Sequence, residues 1–411
     1  MRQLLSNRDA RIYLFGQCLS LLGDTSLWLA AGIWVKTLTK SNTEAGLVFF
    51  FFALASLTSP FAGMLVDRVR RRRVLIVVNL AAAAAVLLLF LVHNASDVWI
   101  VYVVMVLYGV AGALISSAQS AFLTTLLPAE LLGDANGLLT TVREGLRLVA
   151  PLVGAGVFVI AGGGVVAAID AGTFVVAAVA TMALRTREPV PERKEQRFLP
   201  EVIAGFRHVL GTPVLRRVSI ALAVALLVVG FAETVIFAVV SSGLHRPPSF
   251  LGVLLAIQGV GALFGGPSAS PVMRRIGEPR LVGIGLAGAA LGSALLVSSN
   301  FAVVVAAVVI FGAAIPWIVV GAFTLLQRRT PPELQGRAYS AFDVLATLPQ
   351  TVSIGVGALL IGVIGYRSEL VVMAAVIACS AVIMLVPGAD PTGPGLPVGP
   401  AGEPLPTPVE A

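Results

Sequence analysis

The stretch Gly63-Met64-Leu65-Val66-Asp67-Arg68-Val69-Arg70-Arg71-Arg72-Arg73-Val74-Leu75 sits between two long apolar runs. The runs, 45–66 and 74–93, are each long enough to cross a bilayer as a helix, which takes about 20 residues. The five arginines and one aspartate between them therefore mark a tight turn at the membrane surface, joining two spanning helices. Basic charge alone says little, because any cytoplasmic loop of a membrane protein collects Arg and Lys. A glycine four residues before an aspartate, with an arginine cluster directly after, is a more particular pattern.

The rest of the chain is equally apolar. Hydrophobic residues fill 57% of the 411 positions, charged residues only 12%, and the mean hydropathy is +0.96. A soluble domain carries about twice that charged fraction. The composition is that of a polytopic membrane protein. Cys18 and Cys379 both fall inside apolar runs, as free thiols packed like small hydrophobes would. His93, His208 and His245 are scattered without metal-ligand spacing, so no metal and no cofactor is expected. The apolar run after Arg11 is too long for the core of a cleavable signal and contains Asp24. No Gly-x-x-x-x-Gly-Lys-Ser/Thr loop is present to cradle nucleotide phosphates. An enzyme lacks a Ser/His/Asp set or metal cluster, and a channel lacks a continuous polar ring.

Apolar runs between charged or turn-rich breaks predict twelve helices, at 12–36, 45–66, 74–93, 98–122, 138–161, 164–184, 214–241, 249–271, 280–298, 301–325, 340–362 and 367–386. The longest polar connection, 185–213, is read as a cytoplasmic linker between an N-terminal six-helix bundle over 1–184 and a C-terminal one over 214–386. Of 28 Lys and Arg residues, 22 lie at the N-terminus and in the even-numbered loops, against four on the other side: Lys36, Lys40, Arg246 and Arg367. That bias places both termini in the cytoplasm of a multi-pass protein of the plasma membrane. It also accounts for the net charge of +7 without a nucleic-acid partner.

The halves echo each other. Pro128-Ala129-Glu130-Leu131-Leu132-Gly133 recurs as Pro331-Pro332-Glu333-Leu334-Gln335-Gly336, 203 residues later. The opening turn has a counterpart around Arg274, Arg275 and Gly277, offset by 207. Two motifs repeating at nearly one offset signal internal duplication. Residues 387–411 hold eight prolines and no basic residue, the composition of a disordered cytoplasmic tail.

The turn resembles the loop between the second and third helices of major facilitator superfamily transporters, Gly-x-x-x-Asp-Arg-x-Gly-Arg-Arg. Gly63, Asp67, Arg68, Arg71 and Arg72 match, and Arg70 stands where glycine is usual. Further stretches, in order, are similar to the branch of enterobactin exporters and macrolide efflux proteins. They are Phe15-Gly16-Gln17 through Gly23-Asp24, Gln119-Ser120-Ala121-Phe122, Asp170-Ala171-Gly172-Thr173-Phe174, Gly205-Phe206-Arg207 and Gln327-Arg328-Arg329-Thr330-Pro331. The resemblance covers most of residues 10–386. It implies an all-α major facilitator fold, with twelve transmembrane helices in two pseudo-symmetric six-helix halves, acting as a monomer by alternating access. Two departures stand out. Met105 occupies the place of an arginine that proton-coupled drug exporters often carry in the fourth span. The antiporter motif Gly-Pro-x-x-Gly-Gly survives only as Ala150-Pro151-Leu152-Val153-Gly154-Ala155.

An ionised carboxylate at the bilayer centre costs about 3 kcal/mol on insertion scales, so each charge inside a span needs a partner, a water-filled cavity or a proton. Asp24 lies midway along the first span. It is either a carboxylate that exchanges protons or meets a cationic substrate, or a helix-bend residue bonded to Thr25 or a neighbouring helix. Glu233 is its parallel in the seventh span, and pseudo-symmetry predicts that both face one cavity. Arg143, Glu144 and Arg147 cluster near the basic end of the fifth span, as a gate or as a structural ion-pair network with Asp67. Asp170 reads as structural, near the outer face. In the resembled family the basic turn braces the two halves, which implies gating roles for Gly63, Asp67, Arg68, Arg71, Arg72, Arg274 and Arg275, and antiporter character for Pro151 and Gly154.

These expectations amount to a secondary active exporter, driven by protons, of a small and partly apolar molecule such as an antibiotic or siderophore. The alternative is an uptake permease or a lysophospholipid flippase-like carrier of the same fold.

Overall fold

The computed structural model describes residues 6–386 apart from 187, 189–197, 332 and 333; the expected tail, 387–411, lies outside the described residues. The N-terminal elements are α1 (Arg8–Thr39), α2 (Asn42–Ser56), α3 (Ser59–Asp67), α4 (Arg71–Leu87), α5 (Val98–Leu126) and α6 (Ala129–Met182). Then come α7 (Phe198–Gly211), α8 (Pro213–Val229), α9 (Ala232–Ala238), α10 (Leu251–Ile276), α11 (Glu278–Leu295), α12 (Phe301–Arg328), α13 (Gln335–Ile364) and α14 (Tyr366–Leu385). No strand occurs among the described residues.

Helix is what apolar chain must form in hydrocarbon, where no water is available to satisfy the backbone. Side-chain caps set several starts. Asn7 accepts from the Ala10 N–H at 3.2 Å and Ser41 from that of Glu44 at 3.2 Å. Nine helical stretches among the described residues are long and apolar enough to cross a membrane. One of these is a hairpin, and the pair α2–α3 and the 18-residue α11 supply further crossings, which makes twelve.

The hairpin is α6. Its backbone breaks at Gly162, where φ is +79° and ψ 172°, a region open only to glycine. Its first arm places Gly154 on Ser26 and Phe158 beside Trp34; its second places Gly163 on Trp34 and Ala177 and Ala180 on Gly16. The arms therefore run in opposite directions along α1. Gly365, between α13 and α14, has φ +74° and ψ 156° and stands 203 residues after Gly162. The offset seen in the motifs thus recurs in backbone geometry. The close helix crossings repeat too, with Gly154 against Ser26 in one half and Gly357 against Phe231 in the other.

Three details differ from the expectation. The helix of the fifth span starts at Ala129, because the Ala-Glu-Leu-Leu-Gly run after Pro128 is itself helical. The linker carries α7, whose Gly205 packs against the Arg337 carbonyl and whose His208 Nε2 lies 3.2 Å from the Arg329 carbonyl. Cys379 is exposed on α14, while Cys18 is half-buried.

Arginines concentrate at the end of the bundle where α1 begins. Among the described residues, contacts between the halves run from mid-depth towards the opposite end. There Phe49 and Phe237 stack with centroids 6.0 Å apart, Gly355 lies under the Phe50 ring, and Gly252 lies against Ala155 and the Pro151 carbonyl.

Candidate functional site

The seventh crossing tightens between α8 and α9, where Gly230 and Phe231 keep helical dihedrals and the bonding shifts to i→i+3. Gly230 is pressed against α13, where an added Cβ would stand 2.5 Å from the Ile354 nitrogen and 2.7 Å from the Gln350 carbonyl oxygen. The helix continues through that contact as α9, with Glu233 in its first turn. This puts the carboxylate in the wall of a cavity of about 370 Å³ shared by the two halves. Trp28 and Phe49 line it from one half; Gln258, Phe311 and Gln350 join Glu233 from the other. Among the described residues, Glu233 is the sole charged one in that wall, and Gln258 and Gln350 bring its amides. The cavity suits a small apolar molecule bearing a positive charge or hydrogen-bonding groups.

Asp24 is placed differently from its expected symmetry mate. It lies one helical turn before Trp28, on the same face of α1, yet outside the cavity wall. Its Oδ1 accepts a hydrogen bond from the Tyr108 hydroxyl of α5 at 2.8 Å. The same hydroxyl is 3.2 Å from Oδ2 of Asp170, which is fully buried in the second arm of α6. Thr25 turns its own hydroxyl to the Leu21 carbonyl, so the partner of Asp24 is the neighbouring helix. Asp170 belongs to this cluster at the depth of Gly23, midway along α1, and not near the outer face. Thr173 donates to the Asp170 carbonyl at 2.7 Å, and Phe52 and Phe174 wall the Tyr108 ring at 6.1 and 5.7 Å.

Gly23 makes the cluster possible. A methyl group there would stand 2.5 Å from Asp170 Oδ1 and collide with the Thr173 hydroxyl. Sequence reasoning missed Tyr108 altogether, since a tyrosine in an apolar helix carries no signal of its partners.

The basic turn is bonded to the end of α6 and the residues after it, which are bonded in turn to α1. The Glu188 carboxylate accepts from the Arg71 and Arg72 N–H groups at 2.8 and 3.0 Å, satisfying the free donors at the start of α4. The Arg72 guanidinium reaches the carbonyls of Thr181, Met182, Leu184 and Thr186 at 2.8–3.3 Å, where cationic charge complements the C-terminal end of α6. Asp9 accepts from the Arg185 and Thr186 N–H groups, both at 2.9 Å. These contacts bind α1, α4 and the end of α6 to each other, within the N-terminal half, rather than across to the other half.

Arg68, Arg143, Arg274 and Arg275 are exposed. Gly63 has open space where a Cβ would be. The side chains of Asp67, Glu144 and Arg147 lie outside the described residues. Pro151 and Gly154 form a seam: Gly154 rests on the Ser26 backbone, whose hydroxyl donates to the Ala150 carbonyl at 3.2 Å, and the Pro151 carbonyl meets Gly252 of α10. No group of three or more His, Cys, Asp or Glu side chains that could hold a metal occurs among the described residues.

Comparison with known proteins gives a consistent result. A family model described as Major Facilitator Superfamily matches residues 13–242 and 222–409. No curated protein matches the sequence. Among solved structures, the chain is similar to a bacterial homologue of the iron transporter ferroportin in an inward-facing state, at 16% identity and a TM-score of 0.72, covering 92% of this chain and 98% of that one. It is similar to the nucleoside transporter NupG at 12% identity, with a TM-score of 0.72 and coverage of 91% and 98%. A POT family transporter, PepTSo, aligns at 11% identity with a TM-score of 0.72, over 91% and 97% of the two chains.

Proposed function

The chain belongs to the Major Facilitator Superfamily, and on that premise we propose that it is a proton-coupled exporter of a small, partly apolar molecule. It is a multi-pass membrane protein whose fold is that of secondary transporters. The observation that carries the reading is the cavity between the halves, whose described lining is apolar except for the Glu233 carboxylate, two amides and the Trp28 indole N–H. Such a wall favours an apolar body with a cationic or hydrogen-bonding group and disfavours an anion. Transporters of this architecture bind at mid-depth and rock one half against the other. The rocking bodies are 1–184 and 214–386, joined by the linker 185–213, and the transporter works as a monomer in the plasma membrane.

The arginine-rich end faces the cytoplasm, following the charge bias of the loops. Among the described residues, contacts between the halves run from mid-depth towards the far end. This supports an inward-facing state, ready to load substrate from the cytoplasm for export. The resemblance to efflux proteins supports the same direction.

The test is purified protein in liposomes with an imposed proton gradient, using ethidium as the fluorescent cation. Ethidium movement against its gradient, with counterflow of protons, is the expected result. Gradient-independent movement of labelled lysophospholipid, without ethidium transport, would replace this reading with the lipid carrier, which the apolar wall would also suit.

A further inference from the structure

We propose that Asp24, Tyr108 and Asp170 form a proton site that holds one proton between two carboxyl groups, apart from the cavity that Glu233 lines. Its role as the coupling site rests on the transport reading above; its existence does not.

The Tyr108 oxygen lies 2.8 Å from Asp24 Oδ1 and 3.2 Å from Asp170 Oδ2. A phenol has one proton to donate, and an ionised carboxylate can only accept. Both contacts are hydrogen bonds only when one carboxyl carries a proton and donates it to the Tyr108 oxygen, while Tyr108 donates to the other. With both aspartates ionised, two oxygens would face each other with no hydrogen between them, in a buried site where an unmade hydrogen bond is expensive. Two like charges would also repel strongly there, as paired carboxylates do elsewhere.

Among the described residues, nothing basic relieves that repulsion. No Lys or Arg among the described residues forms an ion pair with either aspartate. The groups that face the pair are Tyr108 from α5 and Thr173 from α6, with the rings of Phe52 and Phe174 around Tyr108. On α4, the Asn79 amide donates an N–H to the Leu75 carbonyl at 2.6 Å. On α6, Arg143 is exposed, and the side chains of Glu144 and Arg147 lie outside the described residues. The Thr173 hydroxyl donates to the Asp170 carbonyl and stands 3.5 Å from Asp170 Oδ1.

Asp170 is 0% exposed, whereas Asp24 is only half-buried. A proton enters through Asp24 and is shared inward through Tyr108. Because Asp24 and Trp28 lie one turn apart on α1, any shift of α1 that accompanies filling of the cavity moves the proton site too. Substrate and proton thus use different carboxylates, Glu233 for one and the aspartate pair for the other.

The experiment is infrared spectroscopy of the purified full-length protein at neutral pH, without substrate. The site predicts a protonated-carboxyl C=O band that shifts when aspartate is 13C-labelled and stays when glutamate is 13C-labelled. It should be lost in Asp170→Asn and in Asp24→Asn, kept in Glu233→Gln, and shifted in Tyr108→Phe. No such band in wild type, or one that moves only with labelled glutamate, overturns the proposal without requiring any variant to fold. A separate assay reads the coupling role: Asp170→Asn should lose proton-driven ethidium transport yet keep ethidium exchange down its own gradient. Loss of both with the band assignment intact would leave the proton site standing and sink its coupling role. Wild type that carries the band but moves no ethidium would count against the transport reading alone.

Discussion

Glu233 and Gly23 show how much a single position can decide. Glu233 has no side-chain hydrogen bond among the described residues and is the lone charge in an apolar wall. Opposite charges about 4 Å apart attract by roughly 4 kcal/mol at an effective dielectric near 20. Glu233→Gln should therefore weaken ethidium binding at least tenfold, measured by fluorescence titration, and leave an uncharged ligand of similar shape unaffected. At Gly23 the issue is volume. A methyl group must displace Asp170 or Thr173, and overpacking of this kind costs about 1–3 kcal/mol. Gly23→Ala should lower the thermal unfolding midpoint by several degrees and disturb the aspartate band described above.

At the scale of elements, the three positive-φ glycines do what loops do in most proteins. Gly162, Gly277 and Gly365 reverse or redirect the chain with no intervening loop. Gly162 and Gly365 have open space around them, so an alanine there would clash with nothing. Its cost would be purely conformational, about 1–3 kcal/mol in a region reserved for glycine. Gly172 is the control, since it also has open space but lies within the helix. Gly162→Ala should destabilise the protein in thermal unfolding, while Gly172→Ala should be neutral or stabilising, as alanine is the better helix former. The opposite ranking would show that the turn at Gly162 is not the one described.

For the whole molecule, the decisive feature is where the halves touch. An added Cβ on Gly252 would lie 2.9 Å from the Ala155 Cβ, and a disulfide needs about 3.5–4.5 Å between Cβ atoms. A pair of cysteines at these positions, in a background lacking Cys18 and Cys379, should cross-link with a small adjustment. Alternating access requires this seam to open, so oxidation should abolish ethidium transport and a reductant should restore it. Transport that persists in the fully cross-linked protein would contradict the rocking of α10 against α6. The strap around Arg72, Glu188 and Asp9 fits the same picture. It ties α1, α4 and the end of α6 together.

The membrane class, the twelve crossings and the duplication were all legible along the chain. Each is encoded locally, by run length, by the charge of the connections or by a repeated offset. The Pro/Gly-rich tail was read from composition in the same way, and it lies outside the described residues. Tertiary structure alone decided which charges meet. Tyr108 is 84 residues from Asp24 and 62 from Asp170, and helices apolar on every side carry little information about which face turns where. For the same reason, the symmetry expected between Asp24 and Glu233 gave way: one turns to a neighbouring helix and the other to the cavity. The arginines of the opening turn were plain in the sequence, but their partners, the carbonyl ends of α6, were not. A backbone carbonyl is present at every residue, and only the fold determines which ones lie free at a helix end within reach of Arg72.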